Sequence, residues 1–224
     1  MKVAIIPARG KSKRIKNKNI INFFGKPIIY WPITVAKKSK LFSNVFVSTD
    51  DSKIATISKK FGAEIPFIRP SNISDDKSGI IEVMKHAIKN LEKKKIKFKY
   101  LCCIFATAPF IDKKILIKSF NKLKKGKFDF VFGAKKINYN HLRAFYFNKN
   151  KLRMLNEKFY SYPSQNLPKA YVDTGQFYWG TKNAWKKKKI IFTNNSSFIE
   201  LDSKKFKDIN TYKDLKAAKK VGKN

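Results

Sequence analysis

Between residues 7 and 19 the chain reads Pro7-Ala-Arg-Gly-Lys-Ser-Lys-Arg-Ile-Lys-Asn-Lys-Asn19, so Arg9, Lys11, Lys13, Arg14, Lys16 and Lys18 crowd one turn. Backbone N–H groups together with six cations at one bend suit an anion of high charge, such as a triphosphate. Gly10 permits the tight backbone path that such a cradle needs. On chemistry alone, a solvated basic loop competes with a phosphate site. The segment is not a P-loop: Gly10-Lys-Ser12 resembles that motif's tail, but the required earlier glycine would fall on Ile5. A G-x-G-x-x-G dinucleotide fingerprint is absent as well. His86 and His141 stand in no Ser-His-Asp or Cys-His arrangement, so covalent catalysis finds no support. His86 reads as structural and His141 as a surface residue of an irregular segment. Cys102 and Cys103 are neighbours in an apolar run without metal-ligand spacing, which fits two buried core thiols and a cytoplasmic protein.

A loop of this kind binds ligands when it leaves the carboxyl end of a strand in an open α/β sheet. The surrounding pattern has that order. The apolar run Val3–Ile6 predicts a first strand, and Pro27 is expected to open a helix through about Lys38. A strand over Asn44–Ser48, a helix from Asp51 to Phe61 and a short strand over Ala63–Ile68 follow. Within Gly79–Lys94, apolar residues at Ile80, Val83, Met84, Ala87, Ile88 and Leu91 form a helical stripe. Tyr100–Phe105 is continuously apolar, as in a strand buried on both faces. A helix over Asp112–Leu123 and a strand over Phe128–Phe132 continue the alternation, which argues for a mostly parallel sheet flanked by helices. Residues 138–172 break it. Two strand-like runs there flank Asn148-Lys-Asn150, which predicts a hairpin in a projecting arm that packs on a second subunit; a flap over the active site is the rival reading. The α/β pattern resumes after Gln176–Trp179 and closes with a helix from about Thr211, where Thr211-Tyr-Lys-Asp214 resembles a capping box. Residues 1–224 read as a single domain.

That length and a hydrophobic share of 43% suit one α/β domain with a sizeable core. No apolar run reaches the ~18–20 residues of a membrane span, and the start lacks a signal peptide's apolar core, so no membrane role is expected. Fifty-one basic against fifteen acidic residues give a net charge of +36, which ordinarily points to nucleic acid. Yet Arg occurs only at 9, 14, 69, 143 and 153, and Lys is spread over every expected surface. The richness in Ile, Phe, Asn and Tyr besides Lys fits a coding bias toward A/T-rich codons. The surface should attract anionic substrates and bind nucleic acid only non-specifically, at low salt.

PARGKSKRIKNKNI resembles the PARGGSKRIPRKNI signature of the CMP-sialic acid synthetases, the acylneuraminate cytidylyltransferase family. The similarity continues in register through Val47–Ala55, through Phe67-Ile-Arg-Pro70 and through Ser74-Asp-Asp76. Phe105-Ala-Thr-Ala-Pro-Phe110 and Asp173-Thr-Gly-Gln-Phe-Tyr-Trp-Gly180 are more similar to the family's pseudaminic acid branch than to its sialic acid branch. The resemblance implies a Rossmann-like nucleotidyltransferase sandwich of three layers. It also implies transfer of CMP from CTP to a nonulosonic acid, with release of pyrophosphate. Sialic, legionaminic and 3-deoxy-octulosonic acids are alternative acceptors to pseudaminic acid. By position, Arg9, Gly10, Ser12 and Lys18 would hold the phosphates, and Asn19, Arg69 and the residues around Ser78–Ile80 would approach cytosine and ribose. Thr107 and Gln176 would line the sugar pocket. Tyr178 would join them, unless it and Trp179 are core. Arg9, Lys18 and Asp208 would carry catalysis, with Mg²⁺ on Asp208 and Asn210 at the family's D-x-D motif, in a homodimer. Rival readings make Arg69 a surface residue in a turn set by Pro70, and Asp75 and Asp76 caps of the helix near Gly79.

The chain departs from the family pattern at several points. Asn210 replaces the second carboxylate of D-x-D, and Lys11 replaces the second glycine of the first loop. Ile80 stands where a hydroxyl residue is usual. No arginine lies in or beside Tyr162-Pro-Ser-Gln165, so Lys169 or Arg143 would have to meet the sugar carboxylate. A catalytically weakened polyanion-binding protein on the same fold is the alternative that these changes and the charge allow.

Overall fold

In chain order the strands are Lys2–Pro7 (β1), Asn22–Phe23 (β2), Lys26–Pro27 (β3), Asn44–Ser48 (β4), Tyr100–Ile104 (β5), Phe130–Lys136 (β6), Phe145–Asn148 (β7), Lys151–Met154 (β8), Tyr171–Thr181 (β9) and Ser196–Glu200 (β10). The helices are Tyr30–Lys38 (α1), Ser52–Lys60 (α2), Ile80–Lys93 (α3), Lys113–Lys125 (α4), Lys182–Lys187 (α5) and Tyr212–Val221 (α6). This computed structural model describes residues 1–76, 78–137, 139–204, 206 and 208–222, with residues 139 and 140 described by backbone alone.

Six strands form one sheet in the order β10-β6-β9-β5-β1-β4. Every neighbouring pair is parallel except those made by β9, which runs antiparallel to both β5 and β6. Because successive side chains of a strand point to opposite faces, β1 sends Ala4 and Ile6 to one side and Val3 and Ile5 to the other. The first pair packs with Ile33 of α1, Ile54 of α2 and Phe120 of α4. The second packs with Met84 and Leu91 of α3 and Trp185 of α5. The result is helix, sheet, helix: three layers, with β1 and β5 buried on both faces. Cys102 and Cys103 fall on opposite faces of β5, and burial pushes both thiols above the ordinary range.

Local chemistry sets the helix starts. Asp51 and Asp112 each accept a backbone N–H three residues on, from Ile54 and Ile115, and so cap α2 and α4. Thr211 and Asp214 form the capping box of α6. A third apolar cluster lies off the sheet: Ile15, Phe23, Ile28, Ile209, Leu215 and Ala218. It fastens the basic loop to the chain just before α6. Burying one such isoleucine contributes about 1.5–3 kcal/mol, enough to fix the relative placement of these two stretches.

Three expectations fail locally. Pro27 lies in β3, in a short hairpin with β2, and α1 begins at Tyr30. The proline that the helix does contain, Pro32, sits in its first turn, where backbone N–H groups have no intrahelical partner. Residues 63–68 are not a strand. They make only isolated bridges, Glu64 to Phe46 of β4 and Ile68 to Thr49 just after it, because Pro66 between them has no N–H to donate. The strand expected from Phe128 starts at Phe130. The hairpin in 138–172 is present as β7 and β8, joined through Lys149 and Asn150, whose φ angles of 48° and 58° suit the right-handed twist of the flanking strands. It is inserted between β6 and β9 and exposes Phe145, Phe147, Leu152, Leu155 and Tyr160. No helix among the described residues is long and apolar enough to cross a membrane.

Candidate active site

Strands β1, β4 and β5 are parallel, so their carboxyl ends lie at one edge of the sheet. After β4, on one side of β1, the chain returns to form β5 on the other. Such a switch point opens a crevice outside the strand ends. The basic loop leaves β1 there. Gly10 donates its N–H to Asp50 Oδ1 at 2.8 Å, so the amide expected for a phosphate is held by a carboxylate. A Cβ at Gly10 would lie 2.8 Å from the Asp51 Cβ; close approach to the next element demands glycine here. Lys11 keeps a negative φ, so the backbone at that position does not require one. Asn17 adopts the left-handed conformation, φ 55°, and turns the chain back on itself. Asn19 then donates from its side chain to the Arg9 carbonyl at 2.8 Å, closing the loop.

Arg9, Ser12, Lys18, Asn19, Arg69, Ser78 and Thr107 all line one cavity of about 270 Å³, with Ile80 and Phe105 as its apolar wall. Arg69 is only 4% exposed, which rules out the surface-turn reading. It donates from Nε to Ser74 Oγ at 3.0 Å and stands 3.8 Å from Asp50. Burial lowers its pKa, against the pull of Asp50, so an anion or carbonyl entering the cavity meets a poorly hydrated guanidinium. Ser78 donates from both N–H and hydroxyl to Asp75 Oδ1, at 2.8 and 2.6 Å. Gly79 is the N-cap of α3 and has no side chain to bond, while Asp75 accepts the Ser78 N–H just ahead of the helix. Asp76 instead pairs with Arg9 at 2.5 Å and Lys13 at 2.6 Å.

The end of the site nearest α6 is built by the third apolar cluster. Ile209 is buried against Ile15, so Asp208 and Asn210 on either side of it face the basic loop. Lys18 donates from Nζ to the Ile209 carbonyl at 2.8 Å. Burial lowers the Lys18 pKa, opposed by the nearby charge of Asp208. Asp208 is exposed, as a carboxylate that takes a hydrated cation should be. Gly175, with φ +60°, turns β9 beside it; a Cβ there would stand 3.4 Å from the carboxylate. Asn210 departs from its expected role. Its amide N–H donates to Asp208 Oδ2 at 2.6 Å, and its oxygen accepts from Arg14 at 2.9 Å. As placed, its oxygen is engaged by the Arg14 guanidinium, whose charge disfavours a cation beside it. Asp208 fits Mg²⁺ as a single carboxylate ligand; Asn210 does not fit as the second. A cavity of about 350 Å³ at this end is lined by Arg9, Ser12, Lys13, Arg14, Lys18 and Asn210.

Gln176 and Tyr178 stand behind the cleft, not in its wall. Gln176 is 1% exposed and donates from its side-chain amide to the Thr174 carbonyl, while its backbone carbonyl accepts from the Phe105 N–H. The Tyr178 hydroxyl donates to Asp173 at 2.6 Å; burial and then that bond raise its pKa. Trp179 is core. His86 packs edge-on against Phe67, and Asn90 contacts its ring nitrogen. Arg143 and Lys169 are exposed. Sequence reasoning gave Asp50 no role and read Asp76 only as a possible helix cap, not as a partner of Arg9. The signal for Asp50 is the pair Asp50-Asp51 after β4: one carboxylate caps a helix, which leaves the other for the loop.

Residues 3–220 match the sequence family described as cytidylyltransferase. A pseudaminic acid cytidylyltransferase of Campylobacter jejuni is 42% identical over 97% of this chain and 94% of its own length. A CMP-N,N'-diacetyllegionaminic acid synthase from the same species is 38% identical over 46% of this chain and 45% of its own length. In fold, the chain is similar to a solved CMP:2-keto-3-deoxy-manno-octonic acid synthetase complexed with CTP. The TM-score is 0.76 over 99% of this chain and 98% of that one, at 13% identity.

Proposed function

This chain belongs to the cytidylyltransferase family, and on that premise we propose that it transfers CMP from CTP to the anomeric hydroxyl of a nonulosonic acid, pseudaminic acid. The hydroxyl oxygen forms a bond to the α-phosphorus, the bond from that phosphorus to the bridging oxygen breaks, and pyrophosphate leaves with the electron pair. The hydroxyl proton passes to solvent. One observation carries the reading: Arg9, Ser12, Lys18, Asn19, Arg69, Ser78 and Thr107, drawn from distant stretches of chain, share one cavity at the switch point.

In-line displacement depends on holding the attacking and leaving groups and on neutralising phosphate charge. Arg9, Lys13, Arg14 and Lys18 supply that charge around the leaving pyrophosphate. Asn19, Arg69 and Ser78 face the nucleoside, and Thr107, after β5, faces the acceptor. Mg²⁺ held by Asp208 and phosphate oxygens would neutralise further charge. Lys18 keeps Asp208 in reach by tethering the Ile209 carbonyl. The resemblance to the pseudaminic acid enzyme over nearly the whole chain favours that acceptor. The exposed apolar side chains of the hairpin arm support a homodimer formed through it. A cytoplasmic setting accords with a CTP-dependent reaction.

The test measures pyrophosphate release with each of the four ribonucleoside triphosphates against pseudaminic, sialic, legionaminic and 3-deoxy-octulosonic acids. Turnover is expected with CTP and pseudaminic acid. Absence of turnover with CTP and every acid, or a preference for another nucleotide, overturns the proposal.

A further inference from the structure

The cations that the proposed reaction assigns to phosphate already hold an anion from the chain itself. Asp76 places one carboxylate oxygen 2.5 Å from Arg9 and the other 2.6 Å from Lys13. Three cavities meet at this bridge, and Arg9 and Asp76 line all of them. On one side lies the space beside Asn19, Arg69 and Ser78; on another, the space beside Arg14, Lys18 and Asn210. A nucleotide reaching from the first to the second runs through the point where the carboxylate sits.

We infer that Asp76 is an intramolecular stand-in for phosphate. Its carboxylate occupies Arg9 and Lys13 in the free protein, is displaced when a nucleotide's phosphates enter, and returns as pyrophosphate leaves. The inference rests on reading the cleft as a nucleotide site. The bridge is partly exposed, with Lys13 at 82% and Asp76 at 36%. Solvent-exposed pairs of this kind are weak, so a polyphosphate with several negative charges displaces the carboxylate readily. The pairing with Lys13, and then with Arg9, holds the Asp76 carboxyl below its ordinary range, so the plug stays ionised throughout the neutral range. In a chain of net charge +36 an uncovered set of phosphate cations would take up any passing anion. A tethered carboxylate lowers that apparent affinity by the fraction of time the bridge is open.

Calorimetric titration with inorganic pyrophosphate and with CTP, at fixed ionic strength, tests this. Asp76→Asn is expected to bind pyrophosphate about three- to tenfold more tightly than the wild type. Asp76→Glu, which restores the charge, should return toward the wild-type value. Glu200→Gln removes the same charge from an edge strand and should leave the titration unchanged. Asp76→Ala serves as a second variant should the Asn form fail to fold. If pyrophosphate and CTP bind the wild type but the Asn and Ala variants bind no more tightly, the stand-in role is overturned and the proposed function survives. If neither ligand binds the wild type, the nucleotide reading of the cleft falls and takes this inference with it.

Discussion

Arg9 faces three cavities, receives Asn19 on its carbonyl and Asp76 on its guanidinium, and so stands where the loop's architecture and its chemistry meet. Arg9→Ala is expected to lower kcat/KM for CTP by about 10²-fold or more, the scale for losing a preorganised charge, with an unchanged circular dichroism spectrum. Near-native kinetics in that variant would remove Arg9 from the phosphate site. Asn210→Asp adds a carboxylate beside Asp208, so the Mg²⁺ concentration for half-maximal rate should fall. An unchanged metal titration would count against a ligand at this position. His86 gives a pH prediction. Burial first, then the charges of Arg69 and Lys89, hold its pKa below 6.5. The unfolded chain therefore takes up a proton that the folded ring refuses, and stability declines as pH falls from about 7 toward 5. His86→Gln should flatten that decline in Tm; an equal slope in both proteins would rule it out. At this scale the grouping of the basic loop with Arg69 and Asp208 came from the family resemblance, because on chemistry alone a solvated basic loop competes with a phosphate site. The partnership of Arg14 with Asn210 was not legible. It joins residues 196 positions apart, and it rests on Ile15 packing against Ile209.

Among the elements, caps were easier to read than strands. Asp51, Asp112 and Thr211 mark helix starts through a local hydrogen bond that sequence alone encodes. Residues 63–68 and Pro27 misled because their fate depends on which backbone groups a neighbour needs. The third apolar cluster was invisible for a related reason: Ile15, Phe23 and Ile209 belong to no periodic run. Its role yields a prediction. Ile209→Ala should cost about 2–5 kcal/mol in stability, the usual range for a buried isoleucine truncated to alanine. It should also raise the Mg²⁺ requirement by loosening Asp208 from the basic loop. A variant that melts early but keeps the wild-type metal titration would separate the packing from the site. The arm makes its own test. Phe147, 69% exposed, and Leu152, 56% exposed, lie opposite one another on the hairpin. Phe147→Glu should shift a dimer toward monomer in sedimentation, whereas a wild type that is monomeric at micromolar concentration contradicts assembly through this arm.

Across the whole molecule, alternating strands and helices fixed a layered sheet, and the switch point placed the crevice where the basic loop emerges. What composition could not decide was the meaning of the net charge. The sheet edge resolves part of it, since the buried or paired cations Arg9, Lys18 and Arg69 gather there while most lysines face solvent. The proposed reaction turns on this edge gripping a nucleotide. A crystal structure of the protein grown with CTP and Mg²⁺ tests it most directly. Triphosphate density along Arg9, Ser12, Lys13 and Lys18 is predicted, with the base beside Asn19, Arg69 and Ser78 and Asp76 swung away. A bound nucleotide lodged elsewhere, with Asp76 still bridging Arg9 and Lys13, would contradict it.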